Sequence, residues 1–349
     1  LIRGLYGVLG VIGKLPPNLL RKYILNRIGC RDDAVVIGPA LGEDSAVINL
    51  DDKHLIIHSD PITGAVEYLG WLAVHIASND IAVSGARPRW LLPIYFFTED
   101  TSIEFIDNIT RQVDEAAKEV GAMIVGGHSE FTPGLPRPII SMTASGLVDK
   151  DKYISTGGAQ AGDIVIMTKY AGLEGTAILA SDFREILIKK GVSAGELDKS
   201  RELIKQISVV REASLLSDYQ YVTSMHDPTE GGLIGGLTEI AYASNKSIII
   251  YEDKVNVLPQ TLKYSRLLNI DYLKFISSGV LIATVPPKYI DDAVKLLEKN
   301  NIVVSQIGHV ESYKGYLLKL IRRDGGVEEY TDVYVTDEIM RLWGKGNSY

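Results

Sequence analysis

Three aspartates stand where hard-oxygen chemistry is easiest to build. Asp80 falls on the apolar stripe of a helix expected over Tyr68–Ser84, between Ile76 and Val83. An unpaired carboxylate on a buried face is costly, so Asp80 requires a cation, a hydrogen-bond donor or a cleft to face. Asp44 lies in the turn Gly42–Val47, and Asp60 closes the apolar strand Leu55–Ser59. Taken singly, each also reads as a turn aspartate that accepts backbone hydrogen bonds. Taken together, three carboxylates at element ends suit magnesium, which prefers carboxylate and phosphate oxygens.

Glycine-rich segments offer a second kind of chemistry. In Ile124–Glu130 a strand runs into Gly126 and Gly127, then into His128, Ser129 and Glu130. Paired glycines at a strand end let a ligand approach the backbone, although a hairpin turn uses them equally well. His128 is open to three roles: base, metal ligand or hydrogen-bonded turn residue. The segment Met225–Gly236 reads at first as an ordinary helix start, with Asp227 as N-cap, Pro228 at N1 and Glu230 at N3. Gly231, Gly232, Gly235 and Gly236 break that reading, since each costs a helix interior about 1 kcal/mol relative to alanine. Close helix packing or phosphate held at a helix N-terminus would account for them. Gly172–Ala177, with Gly175, repeats the design more weakly.

The elements that must position these residues form two units. Alternation marks strands near Ser45–Leu50, His54–Ser59, Leu91–Phe97 and Pro138–Val148, with helices over Tyr68–Ser84 and Ser102–Val120. A small, glycine-rich stretch, Ser155–Gly162, is the natural junction. Beyond it, helices are expected over Glu174–Lys190, Lys199–Asp218, Pro228–Ala243 and Lys288–Lys299, between strands at Asp163–Thr168, Tyr221–His226, Ser247–Tyr251 and Val280–Val285. Strands near Val303–Val310 and Tyr316–Ile321 close the unit. The fold class is therefore α+β: a helical extension over 1–30, a first domain over 31–155 and a second over 156–349.

Composition narrows the classes. The 349 residues carry 36 basic and 44 acidic side chains, a formal charge of −8, which argues against nucleic acid as a partner. No apolar run approaches the roughly 20 residues that span a bilayer, so no membrane partner is expected. Leu1–Gly13 reads as part of a helical extension rather than a signal peptide, and the expected location is cytoplasmic. The single cysteine, Cys30, excludes an internal disulfide and a cysteine-based zinc site. Neither a P-loop nor a dinucleotide-binding G-x-G-x-x-G is present, so phosphate would be handled by another route.

GEDSAV (42–47), HSDPITG (58–64), NDIAVSGARP (79–88), VGGHSE (125–130), SGLV (145–148), GD (162–163), EGTAILA (174–180) and DPTEGGL (227–233) follow one another along the chain. In this order they resemble the PurM-like, AIR synthase-related ATP-binding superfamily. The wording of NDIAVSGARP and DPTEGGL looks nearest to its HypE branch. The resemblance implies a PurM-like two-domain fold: an N-terminal mixed sheet or barrel domain that forms a homodimer, and a C-terminal α/β domain. It implies ATP in a cleft near the dimer interface, with Mg2+ held by Asp44, Asp60, Asp80 and Asp227. Gly126, Gly127, Gly175, Thr229, Gly231 and Gly232 would line the nucleotide side.

Departures from the branch pattern lie on the substrate side. Its Gly-Gly-Asp, which continues to a lysine, reads here Gly126–Gly127–His128–Ser129–Glu130, and its Asn-Glu-Gly reads Ser277–Ser278–Gly279. HypE-like members carry substrate on a C-terminal cysteine, whereas this sequence ends Trp343–Tyr349, so a different substrate is expected. His128 and Glu130 are the expected catalytic residues adapting the site to it. The implied activity is ATP-dependent phosphorylation, or ATP-driven dehydration or cyclisation, of a small-molecule or protein-borne substrate. The alternatives are a dimeric nucleotide-binding sensor or scaffold without turnover, and a small-molecule kinase like thiamine-monophosphate kinase.

Overall fold

The structure, a computed structural model, describes residues 14–150 and 152–344. Of the expected N-terminal extension, the glycine-rich residues 1–13 lie outside the described residues; from Lys14 onward it holds one short helix, α1 (Pro17–Tyr23). Residues 345–349, at the end of the sequence, also lie outside them.

The first unit contains β1 (Val35–Ile37), β2 (Ala46–Leu50), β3 (Lys53–Ile62), α2 (Leu69–Val83), β4 (Arg87–Phe97), α3 (Ile103–Val120), β5 (Met123–Ile124), β6 (His128–Phe131) and β7 (Ile139–Asp149). Its sheet runs β1-β2-β3-β7-β4-β5, and β6 follows β5 along the same edge of β4. Strand alternation sorts side chains between two faces. Ile56, Ile62, Leu91, Tyr95, Ile140 and Met142 pack on α2 and α3. The opposite face includes Leu50 and Leu92, both exposed.

Packing around α2 sets up the site. The helix is buried all round: fourteen of its fifteen residues are buried, so the apolar stripe read from sequence is only part of its contact surface. The sheet covers one side and α3 another; Gly70 lets the two helices cross, since a Cβ there would stand 2.4 Å from the Ile109 carbonyl oxygen. The remaining surface is taken by the second unit. Trp71 Nε1 donates to the Ile204 carbonyl at 3.1 Å, and Asn79 Nδ2 donates to the Ile207 carbonyl at 2.9 Å.

The second unit contains β8 (Ile164–Thr168), α4 (Leu173–Asp182), α5 (Arg184–Lys189), α6 (Ala194–Arg201), α7 (Val210–Asp218), β9 (Ser224–His226), α8 (Gly232–Ser244), β10 (Lys246–Tyr251), α9 (Pro259–Leu268), β11 (Ile282–Val285), α10 (Ile290–Lys299), β12 (Val304–Ser312), β13 (Leu318–Ile321), β14 (Val327–Tyr330) and α11 (Glu338–Gly344). The sheet order is β14-β13-β10-β12-β8-β11-β9. Among the described strands of this sheet, only β10 and β13 pair in parallel.

Three expected helices differ in their bounds. Glu174–Lys190 is two helices that meet at Phe183. Lys199–Asp218 is interrupted because Ile207 and Val209 are drawn onto Asn79. The helix expected from Pro228 begins at Gly232, and Asp227 is not its N-cap: Gly231 (φ 84°) and Gly232 (φ 62°) are left-handed, which ends helical continuity on their N-terminal side. The helices α9 and α11 and the strands β1, β6 and β14 lie outside the elements expected from the sequence.

Candidate functional site

The carboxylates of Asp44, Asp80 and Asp227 converge from three elements. Asp44 enters from the turn before β2, Asp80 from the last turns of α2, and Asp227 from the loop after β9. The Asp44 side chain is pinned on one oxygen, where Thr156 Oγ1 donates to Oδ2 at 2.9 Å. Its other oxygen lies 2.6 Å from His226 Nδ1. His58 bridges toward the third carboxylate: its Nδ1 rests against the Asp44 carbonyl, and its Nε2 is 3.4 Å from Asp80 Oδ2. Asp60 points to the same face of β3 as His58 and Ile56, by the two-residue period of the strand. Asp227 is 1% exposed, yet neither of its carboxylate oxygens has a hydrogen-bond partner.

Electrostatics report the crowding. Burial, then the Asp44 and Asp60 charges, push Asp80 well above the usual carboxylate range. Burial, then Asp80 and Asp44, does the same to Asp227. Asp60 is raised by burial against the pull of His58 and Lys14. His226 goes the other way: burial presses its pKa down, but Asp44 and Glu239 outweigh burial and hold it well above the ordinary histidine value. Glu239 accepts from His226 Nε2 at 2.8 Å and meets Lys14 Nζ at 3.4 Å. Burial alone would raise Glu239, yet those two cations bring it to about 2. A cavity of about 190 Å³ beside this pair is lined by Lys14, Leu20, Glu230, Glu239 and Asp337, among others.

His226, Glu239, His58, Thr156 and Lys14 were not singled out by sequence reasoning. One signal was available: Glu239 is the lone charged residue of an otherwise apolar and glycine-rich helix, Gly232–Ser244. The others owe their place to pairing between distant segments, which no local pattern encodes.

The glycines singled out in the sequence have packing duties. Gly231 donates its N–H to Asp337 Oδ2 at 2.9 Å, and Gly232 donates to the Thr229 carbonyl at 3.0 Å. A Cβ on Gly232 would come within 2.7 Å of the Phe275 carbonyl oxygen. Gly175 likewise passes beneath Phe275. Gly127 (φ 139°) crosses β4 so closely that a Cβ would meet the Pro93 carbonyl at 2.1 Å, while Gly126 is less tightly confined by Leu92.

His128 and Glu130 are not brought to the aspartates within one chain. They pair with each other at 3.2 Å on the exposed edge strand β6. The register Asp60–Met142–Pro93, with His128 beside Ile94, places His128 three strands from Asp60, about 14 Å away. Their partners Ile94 and Phe96 alternate with the core-facing Tyr95 and Phe97, so both side chains share the face opposite the helices.

Two regions of the chain match one family. The profile for the AIR synthase related protein, N-terminal domain, covers residues 42–148, and that for its C-terminal domain covers 160–319. A provisionally named hydrogenase expression/formation protein of Methanocaldococcus jannaschii is 29% identical over 324 residues, 89% of this chain and 92% of that one. A selenide, water dikinase of Clostridium botulinum is 25% identical over 333 residues, 86% of this chain and 93% of its own. The crystal structure of hydrogenase maturation protein HypE in complex with ATP superposes with a TM-score of 0.70 at 22% identity, covering 93% of this chain and 96% of that chain. The likeness in fold extends through both units. With both of its domains matched in order over most of the sequence, the chain belongs to the AIR synthase related protein family.

Proposed function

We propose that this protein is a magnesium-dependent, ATP-using enzyme that activates its substrate by phosphoryl transfer and works as a homodimer. The observation that carries the reading is Asp227, a buried carboxylate with both oxygens unbonded, set beside Asp44 and Asp80. Such crowding is costly in a metal-free protein and is relieved by a bound dication. Asp44, Asp60, Asp80 and Asp227 would hold magnesium, which offsets charge on the phosphates of ATP during transfer. The ATP complex of a HypE structure with this fold supports the choice of nucleotide.

This chain's residues supply orientation around the metal. Thr156 fixes one Asp44 oxygen, His58 sets the spacing between the Asp44 backbone and Asp80, and Ser45 Oγ donates to the Asp80 carbonyl at 3.2 Å. Glu43 braces the segment that carries Thr156 by accepting from Ser155 Oγ at 2.8 Å and from the Thr156 N–H at 3.2 Å. His128 and Glu130 face the side on which Leu92 is exposed, so we assign their part in the reaction to the junction between two copies. Titration calorimetry with ATP and Mg2+, followed by ADP formation across a panel of acceptors, tests the proposal. Failure of the wild-type protein to bind MgATP overturns it, and binding without ADP formation points instead to a nucleotide sensor.

A further inference from the structure

The cluster contains one ligand type that magnesium has little use for. A ring nitrogen of His226, one Asp44 oxygen and one Asp227 oxygen all lie within 4.8 Å of one another. Nδ1 stands 2.6 Å from Asp44 Oδ1 but makes no hydrogen bond there. Its direction in the ring plane is therefore left for something other than that carboxylate. The opposite ring nitrogen is committed, since Nε2 contacts Glu239 Oε2 at 2.8 Å. A carboxylate behind a histidine fixes the tautomer and ring orientation so that the far nitrogen presents its lone pair to a metal. Asp227 adds two further unbonded oxygens at 1% exposure.

We propose that His226, Asp44 and Asp227 form a site for a first-row transition-metal dication such as Co2+ or Zn2+, oriented from behind by Glu239. Imidazole nitrogen with two carboxylates suits such ions, whereas magnesium prefers oxygen alone. Three protein ligands leave further coordination positions open, the pattern of a reactive rather than a closed structural site. On metal entry the Nδ1 proton leaves to solvent, Nε2–H stays on Glu239, and Thr156 keeps Asp44 Oδ2 occupied so that Oδ1 turns to the ion. This goes beyond the magnesium–ATP reading: in the nucleotide-free protein the ion takes Asp44 and Asp227 in place of magnesium, and its binding requires no nucleotide.

The test uses the full-length, metal-stripped protein in nucleotide-free buffer. Titration with Co2+, followed by its visible absorption and by calorimetry, is expected to give one site per chain. The His226→Gln variant is expected to lose at least about 10-fold in affinity and to change the visible spectrum, and Glu239→Gln to lose roughly 10–100-fold. Unchanged affinity and spectrum in His226→Gln overturn the proposal. If that variant does not fold, imidazole nitrogen NMR of the wild type decides. Zn2+ must then shift the Nδ1 resonance of one of the six histidines, and six unmoved histidines overturn the proposal. MgATP titration of a separate, cobalt-free sample separates the two readings, which share Asp44 and Asp227: absence of nucleotide binding there with Co2+ binding intact in the first sample sinks only the ATP proposal, and the reverse sinks only this one.

Discussion

Asn79 Oδ1 accepts the Val209 N–H at 2.8 Å, which ties the helix bearing Asp80 to the second unit. The same side chain donates from Nδ2 to Ile207, so one buried amide satisfies two backbone groups across the domain boundary. The next residue, Asp80, enters the carboxylate cluster. Domain attachment and site geometry are thus set by adjacent positions on one helix.

Replacing that amide strands both backbone groups. Asn79→Ala is expected to lower unfolding free energy by about 2–4 kcal/mol, the cost of two buried unsatisfied groups. Urea denaturation with an unchanged m value measures it. A loss below about 0.5 kcal/mol would show that Asn79 is not the clamp.

Crowded carboxylates make the site a place of stored repulsion. Asp80→Asn is expected to stabilise the metal-free protein by about 1–2 kcal/mol, because a raised carboxylate pKa means its charge opposes folding at neutral pH. The same change is expected to weaken MgATP at least tenfold, about 1.4 kcal/mol. Thermal melts and calorimetry on one preparation read both effects, and opposite signs are the expected signature.

A second buried carboxyl gives a pH dependence. Burial raises Glu174 from 4.5 to about 7, with Asp337 and Glu230 adding to the rise and Ser278 opposing it. Its folded pKa lies above its unfolded one, so its contribution favours folding at low pH and is lost between about 4.5 and 7, up to about 3 kcal/mol in all. His75, held at about 3 chiefly by burial, acts oppositely: its contribution is present above 6.5 and is lost as pH falls. Comparing wild type with Glu174→Gln by denaturation across this range isolates the first effect. Parallel stability curves would refute it.

The uncovered face of the first sheet predicts self-association. Leu92, exposed there beside Ile94 and Phe96, is expected at the dimer contact. Sedimentation should give a mass near twice 38.2 kDa for wild type. Leu92→Glu should shift it toward the single-chain value, since a charge cannot be buried unpaired at an apolar contact. A wild-type monomer, or a Leu92→Glu dimer of undiminished affinity, would exclude this face.

Local pattern carried much of this protein. Alternation in His54–Ser59 and Leu91–Phe97, and the capped, amphipathic Ser102–Gly121 segment, were legible because each depends on near neighbours in the chain. The ordered motifs around Asp44, Asp60, Asp80 and Asp227 were enough to indicate the family. Tertiary structure decided the rest. Only packing between units could break Lys199–Asp218 at the residues drawn onto Asn79, and only packing within the second unit could set the Val335 carbonyl against Gly231 and the Phe275 carbonyl against Gly232. Only folding could bring His226 and Glu239 to Asp44 from nearly two hundred residues away, because side-chain electrostatics depend on distance in space and leave no period in a sequence.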